Sequence, residues 1–244
     1  MEGIEDFKQE RRMKVVILAA GVGSRLRPLT TNSPKAMIRI NDKPLVQYQV
    51  ESVMKSGFAY EDIYIIGGHK IEEIEKHFKG TGVHFIYNPF YQSMNNIYSF
   101  LLSRAVGGDL LLINSDLFYD HRMISLILNA EHPTCILVDG QKELTEEAMR
   151  VKLDGNRLRL VNKQLSLTGT DGEYIGISKL AARDLAVLYQ KALELIEAGE
   201  TSCWYENVFE ACAANVEIRA VSTEGYHWIE IDDLSDFECA KQLM

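Results

Sequence analysis

The sequence predicts an α/β fold, a mainly parallel mixed sheet with helices on both faces and a small β elaboration in its second half. Three observations predict it. From Met13 onward, short apolar runs alternate with amphipathic stretches at the rhythm of βαβ units. The first of these runs ends in a glycine-rich turn, where sheets of this kind place their ligands. Residues 149–163 then alternate on both sides of Asp154-Gly155-Asn156, which is a hairpin signal.

In chain order, KVVILAAG at 14–21 reads as a buried strand, rich in β-branched residues and closed by glycine. A helix is expected at about 43–56, with Asp42 as N-cap and Pro44 in the first turn. IYIIGG (63–68) is a second buried strand, followed by an amphipathic helix near 71–79. VHFIYN (83–88) is a third strand, MNNIYSFLLSRA (94–105) has helical spacing, and DLLLINSD (109–116) is an apolar run ending at an aspartate. Parallel connections of this type put the ends of these strands on one edge of the fold, so that 20–25, 67–69 and Asp116 become neighbours. Beyond the hairpin, 180–199 reads as a long amphipathic helix stopped by Gly199, and YHWIEID (226–232) as a strand leading into a helix from about Leu234. The expected organisation is a polar N-terminal extension at 1–12 and a single domain at 13–244, divided into halves at 13–130 and 131–244.

Composition narrows the function. The 244 residues are 46% hydrophobic and 25% charged, and the net charge of −9 argues against nucleic acid or an anionic membrane as partner. Bound phosphate must therefore be held by a local cluster of cations. Cys135, Cys203, Cys212 and Cys239 show no CxxC spacing, which favours reduced thiols over a disulfide framework or a zinc site. The apolar runs are too short to span a bilayer, and residues 1–12 lack the apolar core of a signal peptide, so a cytoplasmic protein is expected. The sequence does not fix an oligomeric state, and a homodimer is among the expected assemblies.

The chemistry is concentrated in LAAGVGSRLRPLTTNSPKAM (18–37). Gly21 and Gly23 directly after a strand let the backbone approach phosphate oxygens, with Leu18, Ala19 and Ala20 leading into the turn. Arg25 offers a planar fork for the β and γ phosphates, and Lys35 a compact charge for the reacting α phosphate. A dinucleotide fingerprint would need glycine at position 26, where leucine stands, and the Gly-Lys-Ser/Thr of a Walker loop is absent.

LAAGVGSRLRPLT and PKAM together resemble the signature of the sugar-phosphate and choline-phosphate nucleotidyltransferases, with the bacterial choline-phosphate cytidylyltransferases as the nearest branch. The resemblance implies the Rossmann-like core and transfer of a nucleoside monophosphate to a phosphorylated small molecule. It implies Arg25 and Lys35 as catalytic residues, and Mg2+ held by Asp116 of INSD and Asp232 of WIEID. Such a metal would reduce the repulsion between an acceptor phosphate and the triphosphate. Gly68, Tyr91, Asn95, Asn96, Ser99 and Ser115 complete the implied nucleotide site. Asn95, Asn96, Tyr98 and Ser99 resemble the corresponding run of the choline enzymes, and asparagine amides suit a pyrimidine edge, which makes CTP the expected donor.

The acceptor is expected to be a small phosphomonoester or phosphonate bearing an amine or quaternary ammonium group. Arg150, Lys163, Glu173, Tyr174 and Trp204 are its candidate contacts. Trp204, Tyr205, Tyr174 and Trp228 are available for an aromatic cage. Met149 and Arg150 stand where the choline enzymes carry an aromatic, and Asn162 replaces the sugar relatives' glutamate beside Lys163. The alternatives are a sugar-1-phosphate nucleotidyltransferase using UTP, dTTP or GTP, and a nucleotide-binding regulator without catalysis.

Overall fold

The computed structural model describes residues 13–243, so the polar extension expected at 1–12 lies outside the described residues. The first half builds the parallel part of the sheet. Strand β1 (Lys14–Ala19) is followed by a small hairpin of β2 (Arg39–Ile40) and β3 (Lys43–Pro44), then by helix α1 (Leu45–Lys55). Next come β4 (Ile63–Gly67), α2 (Ile71–His77), β5 (His84–Tyr87), α3 (Asn96–Leu102) and β6 (Leu110–Asn114). β1 lies between β4 and β6, parallel to both, and β5 adds to β4 in parallel.

The second half extends the same sheet with mixed polarity. It contributes β7 (Leu117–Tyr119), α4 (Arg122–Asn129), β8 (Cys135–Asp139), β9 (Arg150–Asp154), β10 (Arg157–Asn162) and β11 (Gly172–Leu180). α5 (Ala182–Glu197), α6 (Tyr205–Cys212), β12 (Arg219–Ser222), β13 (Trp228–Glu230) and α7 (Leu234–Ala240) follow. The nine-stranded order is β5-β4-β1-β6-β11-β8-β12-β10-β9. β11 pairs antiparallel with both β6 and β8, so the late strand of the chain sits in the middle of the sheet. β7 and β13 form a separate two-stranded ribbon.

Alternation along β1 shows why both faces need helices. Val16 and Leu18 enter one core with residues of α3, α5 and α6, whereas Val15, Ile17 and Ala19 enter the other with residues of α1, α2 and α4. All five are buried, as a strand covered on both faces requires. A third cluster, Leu26, Ile38, Ile40, Leu45, Ile231 and Ala240, ties the loop after β1 to the segment after β13.

Two expectations are corrected here. Asp42 does not cap α1. With Asn41 it occupies the β2–β3 turn at φ 44° and 68°, because a two-residue hairpin turn takes left-handed residues at both central positions. Pro44 is the N-cap residue itself, with no side-chain cap. Asp154-Gly155-Asn156 does separate β9 from β10, with Gly155 at φ 61°.

Candidate active site

The chain leaves β5 at one edge and returns to β6 beside β1, so a crevice opens where the carboxyl ends of β1 and β6 diverge. Backbone bonds fix its floor. Ser115 N–H donates to Leu18 O (3.1 Å) and Ile231 N–H to Asp116 O (2.9 Å). The Gln49 side-chain amide, reaching up from α1, donates to Asn114 O and Leu117 O, both at 2.9 Å, and so sets the turn that aims Asp116. The resulting cleft has a volume of about 440 Å3.

The glycine-rich turn forms one wall. Gly23 sits at φ 66°, and a Cβ there would meet Lys35 Cβ and Thr30 Cγ2 at 3.0 Å. Thr30 Oγ1 donates to Gly23 O (2.6 Å), which closes the loop. Gly21 has open space around its α-carbon, as a backbone facing a ligand needs. Lys35 follows in a short 3-10 turn, Lys35–Met37, and is 9% exposed.

The cations and carboxylates identified from the motif meet at the centre. Lys35 Nζ donates to Asp116 Oδ2 at 2.9 Å and to Asp232 Oδ1 at 2.6 Å. Arg25 donates to the other oxygen of Asp232 at 2.8 Å. Burial alone would lower the Lys35 pKa, but the two aspartates outweigh it through charge and hydrogen bonds and hold the ammonium firmly protonated. Burial alone would raise Asp232, but Lys35, Arg25 and Lys163 hold it below its ordinary value. Asp116 Oδ1 is buried with no partner among the described residues.

Glu230 is a third carboxylate that sequence reading passed over. Asp116, Glu230 and Asp232 each offer an oxygen, all within 4.8 Å of one another. Burial, then Asp116 and Asp232, push the Glu230 carboxyl up to about 8. The signal was present in WIEID, since positions 230 and 232 share one face of an extended segment. Such a set of hard oxygen donors suits a divalent cation with oxygen preference. Asp233, the next residue in the chain, takes the cap of α7 by accepting from Ser235 and Asp236 N–H, which leaves Asp232 to the cleft.

The remaining candidates divide. Leu18, Ala20, Gly21, Gly23, Tyr91, Asn95, Asn96, Ser99, Ser115, Lys163, Tyr174 and Trp204 line the cleft. Ala19, Gly68, Arg150 and Glu173 are not among its lining residues. Gly68 packs instead against Tyr91, where a Cβ would come within 2.5 Å of the tyrosine's own. Arg150 is buried and donates to Thr145 O (3.1 Å), and Glu173 lies 3.9 Å from Lys142.

Asn95 and Asn96 are both engaged with protein. Asn95 caps α3 through its own Oδ1 and donates to Ser202 O, and Asn96 Oδ1 accepts from Tyr205 N–H at 2.8 Å. Ser99 is buried and accepts from Asn88 Nδ2 (2.9 Å).

The expected aromatic cage is corrected. Trp228 is buried and donates Nε1–H to Asp139 at 2.6 Å, and Tyr205 is fully buried against Phe100 and Phe209. Neither lines the cleft. The Tyr174 hydroxyl is tied to Ser178 and Tyr205, and the Trp204 ring faces Lys163 Nζ at 5.3 Å. In place of a cage the cleft has Glu206, in the first turn of α6, which burial pushes up to about 7.

No helix of the described residues is long and apolar enough to cross a membrane. All four cysteines are free thiols.

Comparison with known proteins bears on the family and the fold. A family model described as the MobA-like NTP transferase domain matches residues 15–215. Choline-phosphate cytidylyltransferase of Streptococcus pneumoniae is 40% identical over 104 residues, a match spanning 43% of this chain and 44% of that relative. CTP:phosphoglutamine cytidylyltransferase of Campylobacter jejuni is 25% identical across 93% of this chain and 98% of its own. Among solved structures, CTP:phosphocholine cytidylyltransferase from Streptococcus pneumoniae has a TM-score of 0.77 at 24% identity, covering 95% of this chain and 99% of that one. Inositol-1-phosphate CTP transferase from T. maritima also scores 0.77, at 20% identity and 96% coverage of both chains. At these identities the structural matches establish a shared fold.

Proposed function

The chain belongs to the MobA-like NTP transferase domain family, and on that premise we propose that it transfers CMP from CTP to a small phosphorylated amine or alcohol, such as a phosphocholine-like phosphomonoester or an aminoalkylphosphonate. The observation that carries the reading is the meeting of Arg25, Lys35, Asp116 and Asp232 in one cleft behind a glycine-rich turn. A pure nucleotide sensor has no use for paired carboxylates beside a buried lysine.

In the reaction, an oxygen of the acceptor phosphate forms a bond to the α phosphorus of CTP. The bond from that phosphorus to the oxygen bridging to the β phosphate breaks, and its electron pair leaves on pyrophosphate. No protein nucleophile is needed, so catalysis consists of positioning and charge stabilisation. Gly21 and Gly23 admit the triphosphate to the backbone, Arg25 grips its outer phosphates, and Lys35 meets the charge that grows on the α phosphoryl group. Asp116 and Asp232, with Glu230 beside them, would hold Mg2+, and the unpartnered Asp116 Oδ1 supports that assignment. When bound, the metal lowers the repulsion between acceptor and donor phosphates. A nucleoside triphosphate donor fits a cytoplasmic protein.

The choice of cytidine rests on the relatives, whose names specify CTP or cytidylyl transfer. The cleft asparagines support it less, because their side chains are engaged with the protein. Pyrophosphate release, measured for each of CTP, UTP, GTP and dTTP against amine phosphomonoesters and sugar 1-phosphates, tests the reading. Turnover is expected with CTP and an amine phosphomonoester. Preference for UTP or dTTP with a sugar 1-phosphate would overturn it in favour of the sugar-phosphate branch.

A further inference from the structure

Glu206 is the least explained residue of the cleft. It is 3% exposed and lines the cleft, its carboxyl is hydrogen-bonded by Tyr205 and Asn96, and its Oε2 alone is buried without a partner among the described residues. A carboxylate oxygen left in this state loses its hydration and gains nothing in exchange, which is rare unless a ligand supplies the missing donor. A role in capping α6 does not account for the oxygen, because the Trp204 N–H at that helix start is already taken by Asn207 Oδ1 at 3.0 Å.

The aromatic side chains point the same way. Recognition of a quaternary ammonium calls for open aromatic faces around it. Here Trp204 already faces Lys163, and the Tyr174 hydroxyl is bonded into the core. What the cleft offers a cation is therefore a hydrogen-bond acceptor, which an N–H can use and an N-trimethyl group cannot.

We propose that Glu206 determines acceptor specificity by accepting a hydrogen bond from the ammonium N–H of a primary-amine phosphomonoester or phosphonate, so that the acceptor is an amine with N–H donors and not a quaternary one. This rests on the amine-acceptor reading given above. A site built around a hydrogen bond discriminates strongly against the analogue that lacks the donor, because the protein's buried group is then left unpaired.

The test is a methylation series. With the full chain, CTP and Mg2+, kcat/KM is measured for phosphoethanolamine and its N-methyl, N,N-dimethyl and N,N,N-trimethyl derivatives. Wild type is expected to favour phosphoethanolamine over the trimethyl compound by about tenfold or more, with the largest step on loss of the last N–H. Glu206→Leu, which removes the acceptor, should bring that ratio towards one, and Glu206→Asp should retain part of it. A wild-type preference for the trimethyl compound overturns the proposal whatever the variants do. So does an unchanged ratio in a folded Glu206→Leu protein. If the whole series is silent while a sugar 1-phosphate is turned over, the amine-acceptor reading fails and takes the Glu206 assignment with it. Turnover of the series without discrimination defeats the Glu206 assignment alone.

Discussion

At the scale of single residues, the centre is a balance between two carboxylates and the cations that reach them. Lys35 stands between Asp116 and Asp232 in the free protein, so positive charge is already where a phosphoryl transfer would need it. Replacing Asp116 with Asn keeps the shape and removes one charge. Turnover in Mg2+ should fall by about 100-fold, the order seen when one transition-state stabiliser is lost. Steady-state rates close to wild type would refute the role. Glu206 gives a second prediction through its protonation. Burial raises its pKa from the ordinary 4.5 to about 7, so the folded state holds the proton more tightly than the unfolded chain. The stability this confers is complete below pH about 4.5 and is lost as pH rises through about 7. Without nucleotide and in EDTA, Glu206→Gln should match wild type near pH 4 and exceed it at pH 8 by on the order of 3 kcal/mol in denaturant titrations. A stability difference that does not vary with pH would show that Glu206 titrates normally.

At the scale of elements, local pattern and long-range pairing contributed differently to what could be read in advance. Strands β1, β4 and β6 were legible because each is an apolar run bounded by turn residues, and α5 because its periodicity is long. Strand β7 and helices α4 and α6 are short, and the placement of β8 and the pairing of β13, itself expected as a strand at 226–232, depend on partners distant in sequence. Glu206 went unread for that reason, since α6 has only eight residues and nothing local says that its first turn enters a cleft. Asp232 was legible as chemistry, and the capping geometry of α7 distinguishes it from its neighbour Asp233. Asp233→Ala removes the acceptor for Ser235 and Asp236 N–H and should cost about 1 kcal/mol of stability. Turnover should drop severalfold as well, because the backbone N–H of Asp232 is held by Asp236 at 3.0 Å. Equal melting temperatures for the variant and wild type would deny the cap its role.

At the scale of the whole molecule, the cleft belongs to no single segment. Its lining runs from Leu18 to Asp232, so a ligand there clamps the early strands to the late ones. CTP with Mg2+ at about 100 times its dissociation constant should stabilise the protein by about 2.7 kcal/mol, read as a shift in thermal unfolding. Chelating the metal with EDTA should remove most of that gain. An undiminished shift in EDTA would mean that the carboxylate cluster does not take part in nucleotide binding.

The bond from Ile231 N–H to Asp116 O has a consequence for the order of events during synthesis. The glycine-rich turn follows the first strand, yet the Ile231 and Ala240 that pack behind its loop, and the Glu230 and Asp232 that join Asp116, arrive only when the ribbon strand from near the end of the chain docks against β7. A ribosome-bound chain halted before Ile231 therefore has Asp116 without Asp232, and Leu26, Ile38, Ile40 and Leu45 without Ile231 and Ala240. In refolding, burial of the main cores should therefore precede the return of activity, which waits for the last ribbon to close.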